Sequence, residues 1–205
     1  MKISSALQGL NDALDKVPDA MLRAFGKEGG PMYYTDLVLA GATKRTLGLG
    51  HGLIAMINAK NMLCGRALVR MQIDTVSRVL AYTYVADRED LARRVIGGEK
   101  LRSFKCRDGK RLTDQYLIER LSETLTWAAD VYDRTSASVH FSEQQLFSAS
   151  EMTSDENGNR INLTITQFDT KYPESSWSEI AACFTELTDF FVHILDQYSS
   201  SKPGV

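Results

Sequence analysis

The stretch NMLCGRALVRMQIDTVSRVLAYTYVAD, Asn61–Asp87, decides the fold class. Leu63, Ala67, Val69, Ile73, Val76, Leu80 and Val85 recur at helical spacing and predict a long α-helix with one buried stripe. Arg66, Arg70, Asp74 and Arg78 fall four apart on another face. That row reads as a solvated face with ion pairs, Arg70 to Asp74 among them, in preference to a binding surface.

The same period runs outward in both directions. Leu7, Leu10, Leu14 and Val17 predict a first helix that Pro18 punctuates. Gly29 to Pro31 is a turn. Thr35 to about Asn58 is a long apolar helix loosened by Gly41, Gly48, Gly50 and Gly52, where a bend or a close helix contact is expected. After Asp87 a short helix covers about Arg88 to Ile96 and stops at Gly97-Gly98. Thr113 or Asp114 caps a further helix through LTDQYLIERLSETLTWAADVY, with Leu117, Leu121, Leu125 and Ala128 as its stripe. The period then changes to two. Ile161, Leu163 and Ile165 alternate with polar residues, and Asn157-Gly158 signals a hairpin turn, so a β-hairpin is expected at about 145–168. Ser176 and Glu179 read as a capping box for a last helix carrying Ile180, Phe184, Leu187, Phe191, Ile194 and Tyr198. The expectation is mainly α: a helical bundle with a small β-hairpin inserted before the C-terminal helix, one domain over 1–198, and a flexible tail over 199–205.

Composition narrows the function classes. The 205 residues carry a net charge of -2, which supplies no protein-wide field for nucleic acid or membrane. Cys64, Cys106 and Cys183 are odd in number and form no CxxC, so neither a zinc site nor a disulfide framework is indicated. Reduced thiols point to the cytoplasm. The N-terminus lacks the apolar core of a signal peptide. No run approaches the roughly 18 apolar residues that read as a membrane span. Phosphate-loop, dinucleotide, metalloprotease and serine-hydrolase motifs are absent, and no cofactor or metal is expected.

Charge is unevenly distributed. Arg93 to Arg111 holds eight basic residues against Glu99 and Asp108, a net +6, which leaves -8 for the rest of the chain. Within it Lys105, Arg107, Lys110 and Arg111 form a loop that could hold a phosphate backbone, or pair with the acidic remainder.

The densest polar cluster is YDRTSASVHFS, Tyr132–Ser142. Arg134 and His140 are separated by five residues. Metal-independent RNA cleavage needs a proton taken from the ribose 2′-hydroxyl and one given to the leaving 5′-oxygen. Histidine titrates where it can serve either step. An arginine fork can bind the charge that develops on the phosphate. Tyr132, Ser136, Ser138 and Ser142 would orient that phosphate, and a helix starting near Ser136 or Ser138 would add free backbone N–H groups. Spacing alone is a poor guide. RTLGLGH, Arg45 to His51, has the same separation in an apolar setting and reads as a decoy. Six positions on an ideal helix also leave two side chains about 120° apart, so Arg134 must precede the helix or bend back to meet His140. The structural alternative is a buried His140 satisfied by Ser136, Tyr132 or a carbonyl. His51 and His193 read as core or interface residues.

A helical domain with arginine and histidine at this separation near a late helix resembles the HEPN superfamily. The resemblance implies a metal-independent endoribonuclease of toxin–antitoxin or phage-defence type. Arg134 and His140 would be its catalytic pair, and it would act as a homodimer on RNA with an accessory protein or antitoxin. GRALVRMQID, DGKRLTDQYLIERLS and VYDRTSASVHFS, spanning about Asn58 to Gln145, are also similar to a group of uncharacterised bacterial helical proteins. Their signature is Tyr-x-x-Thr-Ser-x-x-x-His-Phe-Ser, which does not demand Arg134. That second resemblance implies the alternative, a non-catalytic helical dimer serving as a binding or regulatory subunit.

Overall fold

The computed structural model describes residues 2–26, 30–139, 149–155, 158–169 and 171–202. Among them are α1 (Ile3–Phe25), α2 (Tyr34–Asn58), α3 (Met62–Tyr84), α4 (Arg88–Ile96), a 3₁₀ turn (Leu101–Ser103), α5 (Asp114–Ser122), α6 (Ala128–Val139), strands β1 (Ser150–Asp155) and β2 (Gly158–Leu163), and α7 (Glu174–Ser201). The chain is a mainly α bundle with the hairpin before its last helix, as its periodicity predicts.

The main core joins α1, α2, α3 and α7 through Leu10, Leu14, Leu53, Ile73, Phe184 and Phe191, all fully buried, and takes in Leu121 of α5 and Ala128 of α6. A second, smaller core lies at the far end of α3. There Ala81, Tyr82 and Val85 pack with Leu91, Leu112 and Leu117. α1 packs along α7, and α2 along α3. The glycines of α2 produce one close contact. A Cβ on Gly50 would lie 2.5 Å from Leu14 Cδ2, so α1 and α2 approach closely there. Gly41 and Gly48 meet nothing within 4 Å and have no such role.

Several boundaries differ from expectation. Pro18 does not end the first helix. It sits inside α1 on the solvent side, and the helix continues to Phe25. The helix drawn from Leu112 to Tyr132 is two helices. α5 stops at Ser122, whose Oγ accepts the Ala129 N–H at 3.1 Å and restarts the chain as α6. Thr113 is the N-cap, accepting from the Tyr116 N–H. Ser176 and Glu179 form no capping box, because α7 begins earlier, after Pro173. Glu174 instead accepts the Ile3 N–H at 2.9 Å and tethers the start of α1 to the start of α7. Leu63, placed on the buried stripe of α3, is 46% exposed.

The tail also begins later than residue 199. α7 continues to Ser201, and Lys202 is buried. Its ammonium donates to both Asp36 carboxylate oxygens at 2.8 Å and to the carbonyls of Ala24 and Phe25. One lysine thus supplies a cation to the C-terminal carbonyls of α1 and a counter-ion to the first turn of α2. Residues 203–205 lie outside the described residues.

β1 and β2 pair antiparallel, with Met152 opposite Ile161 and Ser150 opposite Leu163. The apolar alternation does not mark a buried face. Met152, Ile161 and Leu163 are all about two-thirds exposed or more. Beyond the hairpin Asp169 fixes the chain to the α2–α3 turn. Its N–H donates to the Lys60 carbonyl, and its carboxylate accepts the Met62 N–H, each at 2.7 Å.

A candidate arginine-lined groove

α6 carries most of the described part of the polar cluster. Its first turn buries Ala128 against the main core, and it packs on α3. Tyr132 and Ser136 consequently face the arginine row of α3. The Arg70 guanidinium lies 3.3 Å from the Tyr132 ring centroid, a close cation–π contact, and its Nε reaches Ser136 Oγ at 3.4 Å. Arg66, one turn earlier, covers the Tyr172 ring at 4.9 Å. The row is therefore only partly the solvated face read from the sequence. Asp74 does not pair with Arg70. It takes Arg78 at 2.8 Å, and Arg78 also holds Asp114 at 2.9 Å.

Arg134 lies within α6, not before it. Its side chain bends back one turn to Asp130, with Nε 2.9 Å from Oδ1 and a second contact from the guanidinium to Oδ2. That hydrogen bond is the main reason its pKa is raised. The guanidinium stays open to solvent, with the side chain 68% exposed. Such a pair adds little stability and can exchange its carboxylate for another anion.

The expected anion-binding helix start at Ser136 or Ser138 is not present. α6 starts at Ala128, so the amides of residues 136 and 138 are internal to it. The hydroxyls turn inward as well. Thr135 Oγ1 donates to the Val131 carbonyl at 2.5 Å, and Ser136 Oγ to the Tyr132 carbonyl at 2.7 Å. His140, Ser142 and the side chain of Ser138 lie outside the described residues, so the arrangement of Arg134 and His140 is not among the observed geometry.

A cavity of about 480 Å³ opens between α3, α6 and α7, lined by Arg66, Arg134, Thr135, Tyr172, Ser176 and Glu179, with Val69 and Cys183 in its wall. Arg66 and Arg134 face it from opposite helices, and Glu179 is the one acidic wall residue among the described residues. Burial, reinforced by Glu179 and Glu186, pushes the Cys183 thiol up to about 12. Tyr132 is raised too, chiefly by burial, with Arg70 opposing. Arg66, Arg70 and Tyr172 are the residues that sequence reasoning missed. Their signal was the four-residue arginine spacing, which looks the same whether the guanidinia meet solvent or aromatic rings.

The basic loop is built as expected but stands elsewhere. Cys106 N–H donates to the Lys110 carbonyl at 2.8 Å, Lys105 bridges Arg111, and Gly109 takes a φ of 78°. The Arg107 N–H donates to the carbonyl of Tyr84, the last residue of α3. Lys105, Arg107, Lys110 and Arg111 are exposed and make no ion pair among the described residues, whereas Arg93 and Arg94 pair with Asp90 and Glu99. From Val69 beside the groove to Tyr84 under the loop is 15 helical steps, about 22 Å. The loop flanks the groove at a distance and does not form it.

His51 and His193 are exposed, not core. His193 stacks on Phe190 and bonds Gln197 at 2.8 Å. In the decoy, the Arg45 Nε donates to Thr75. Cys64, Cys106 and Cys183 form no disulfide. Among the described residues no group of three or more His, Cys, Asp or Glu side chains could hold a metal ion, and no helix is long and apolar enough to cross a membrane. No family model matches the chain, nor does any curated protein or solved structure.

Proposed function

We propose that this protein is a HEPN-like, metal-independent endoribonuclease. The observation that supports the reading is the groove: Arg66 and Arg134 face one cavity, with Arg70 beside it on the Tyr132 ring. The segment carrying His140 follows directly from the end of α6. In this reading a phosphate displaces Asp130 from the Arg134 guanidinium, which then binds the developing charge. His140 acts as general acid or base. Tyr132, Ser136, Ser138 and Ser142 order the segment around the phosphate. Lys105, Arg107, Lys110 and Arg111 engage RNA farther along, about 22 Å away, a span of several nucleotides. The protein works as a cytoplasmic homodimer in a toxin or phage-defence system, held in check by an antitoxin or accessory protein.

One observation favours a second reading. Arg134 is held by Asp130, and Thr135 and Ser136 return their hydroxyls to carbonyls of their own helix. A non-catalytic binding or regulatory dimer would use the cluster in that way, as helix-stabilising structure.

RNA cleavage with EDTA present separates the two. Wild type, Arg134→Ala, His140→Ala and the control His51→Ala are compared with a mixed RNA substrate. The nuclease reading expects chelator-resistant cutting, 2′,3′-cyclic phosphate ends, and loss in Arg134→Ala and His140→Ala alone. RNA binding without cutting by folded wild-type protein would give the second reading the argument.

A further inference from the structure

The largest of the cavities described lies apart from the groove, at the other end of α3. It is an open hollow of about 610 Å³ bordered by α2, α3, α4, the 3₁₀ turn and the first residue of α5. That volume is in the range of small-molecule sites, roughly 300–1,000 Å³. Val38, Ala42, Val79, Val95 and Leu101 give it an apolar wall. Its rim is charged, and the charges do not cancel. Asp74 and Asp114 are engaged by Arg78, and Glu99 is clasped by Arg94 at 2.6 Å. Arg45, Lys100 and Arg102 have no carboxylate partner among the described residues, and Arg45 donates only to the Thr75 hydroxyl.

Tyr82 supplies a hydrogen-bonding group to the same wall. It is 7% exposed and lines this cavity, yet its hydroxyl bonds to no described residue. The oxygen itself is open to solvent, which leaves it free to meet a ligand. Its ring is shared with a smaller cavity toward α7. Burial pushes its pKa up to about 12, so at neutral pH the hydroxyl remains a donor.

We propose that this cavity is a binding site for a small organic anion. A flat apolar body would lie on the valine and leucine wall within reach of Tyr82, and a phosphate or carboxylate head would meet Arg45, Lys100 and Arg102. The site does not depend on the ribonuclease reading. It starts at Asp74, beyond the Val69 end of the groove, and shares with it no lining residue among the described residues.

Calorimetry on the full chain tests this with three probes: AMP, 1-naphthoate and inorganic phosphate. AMP or 1-naphthoate is expected to bind with a Kd below about 1 mM, and inorganic phosphate at least about tenfold more weakly, because it offers no apolar body. Binding of AMP alone assigns a phosphate ester to the site, and of 1-naphthoate alone a carboxylate. Gly41→Leu is the decisive variant. Gly41 lines the cavity and an added Cβ meets nothing within 4 Å, so a leucine there adds bulk at the wall without a clash at its Cβ. It should weaken binding at least about tenfold, and Arg102→Ala should weaken it as well. EDTA-resistant cleavage of RNA should be unchanged in Gly41→Leu. The proposal fails if neither organic anion binds wild type, or if binding persists in Gly41→Leu.

Discussion

Lys202 and Asp36 form an ion pair that solvent scarcely reaches, with side-chain exposures of 3% and 1%. Asp36 also accepts the Tyr198 hydroxyl at 2.8 Å and the Tyr33 N–H at 2.8 Å, so its carboxylate joins α2 to the end of α7. Removing one member of such a pair strands the other charge. Lys202→Met is therefore expected to cost about 3–5 kcal/mol, measured as a fall in the urea midpoint. A loss under about 1 kcal/mol would mean that water reaches Asp36 and the pair behaves like a surface one.

Two glycines on α2 should respond with opposite signs. At Gly48 a Cβ meets nothing within 4 Å, so Gly48→Ala removes only glycine's entropy cost and should stabilise by about 0.5–1 kcal/mol. At Gly50 the added carbon overlaps Leu14, which is fully buried. Gly50→Val should destabilise by about 1–3 kcal/mol. Thermal unfolding of the two variants reads both, and like signs would show that α1 and α2 are not packed as described.

The Arg70–Tyr132 stack separates charge from ring geometry. Arg70→Lys keeps the charge but loses the planar contact and the reach to Ser136. On single-stranded RNA each lost phosphate contact should flatten the dependence of log K on log salt by about 0.7. Arg66→Ala and Arg134→Ala should each do so. Arg70→Lys should lower affinity with little change in slope. An unchanged slope in Arg134→Ala would remove the groove from the RNA path.

Alkaline pH should weaken the fold in two stages. The Cys183 thiol titrates near 12 in the folded protein and at about 8.5 once unfolded. Its folded pKa is raised, so its contribution is complete below about pH 8.5 and is lost as pH climbs toward 12. Tyr82 follows, from about 10 unfolded to about 12 folded. The urea midpoint should be level to about pH 8 and fall above about pH 9. In Cys183→Ala the decline should wait until the tyrosines titrate, near pH 10. An equally early decline in that variant would assign the first stage to another group.

The bundle was legible because each long helix buries one stripe, and stripes are written in sequence with the period of the helix. What failed to show were events that depend on a particular pairing or facing of one residue and not on the period of a stripe. The break between α5 and α6 carries no glycine or proline. It is stabilised by Ser122 receiving the Ala129 amide, and a serine at that position announces nothing. Pro18 looked like a stop, yet its ring faces solvent and α1 continues around it. Lys202 read as a frayed residue because its carboxylate lies 166 positions away. At the site, Arg134 and Tyr132 were visible as chemistry. The arginines of α3 were visible only as spacing, since nothing local records which rings will lie beneath them. The +6 segment was legible as charge, but its distance from Arg134 is set by the length of α3.

The pairing of α1 with α7 has a consequence for synthesis. About 150 residues separate the end of α1 from the start of α7. At a translation rate of about 5–20 residues per second, the apolar stripe of the first helix waits roughly 10–30 s for its final partner to be made. During that interval Leu10, Leu14 and Val17 have only α2 to cover them. Early chains should therefore be the ones that chaperones capture, and ribosome-bound chains stalled before Glu174 should be far more sensitive to protease than those that include α7.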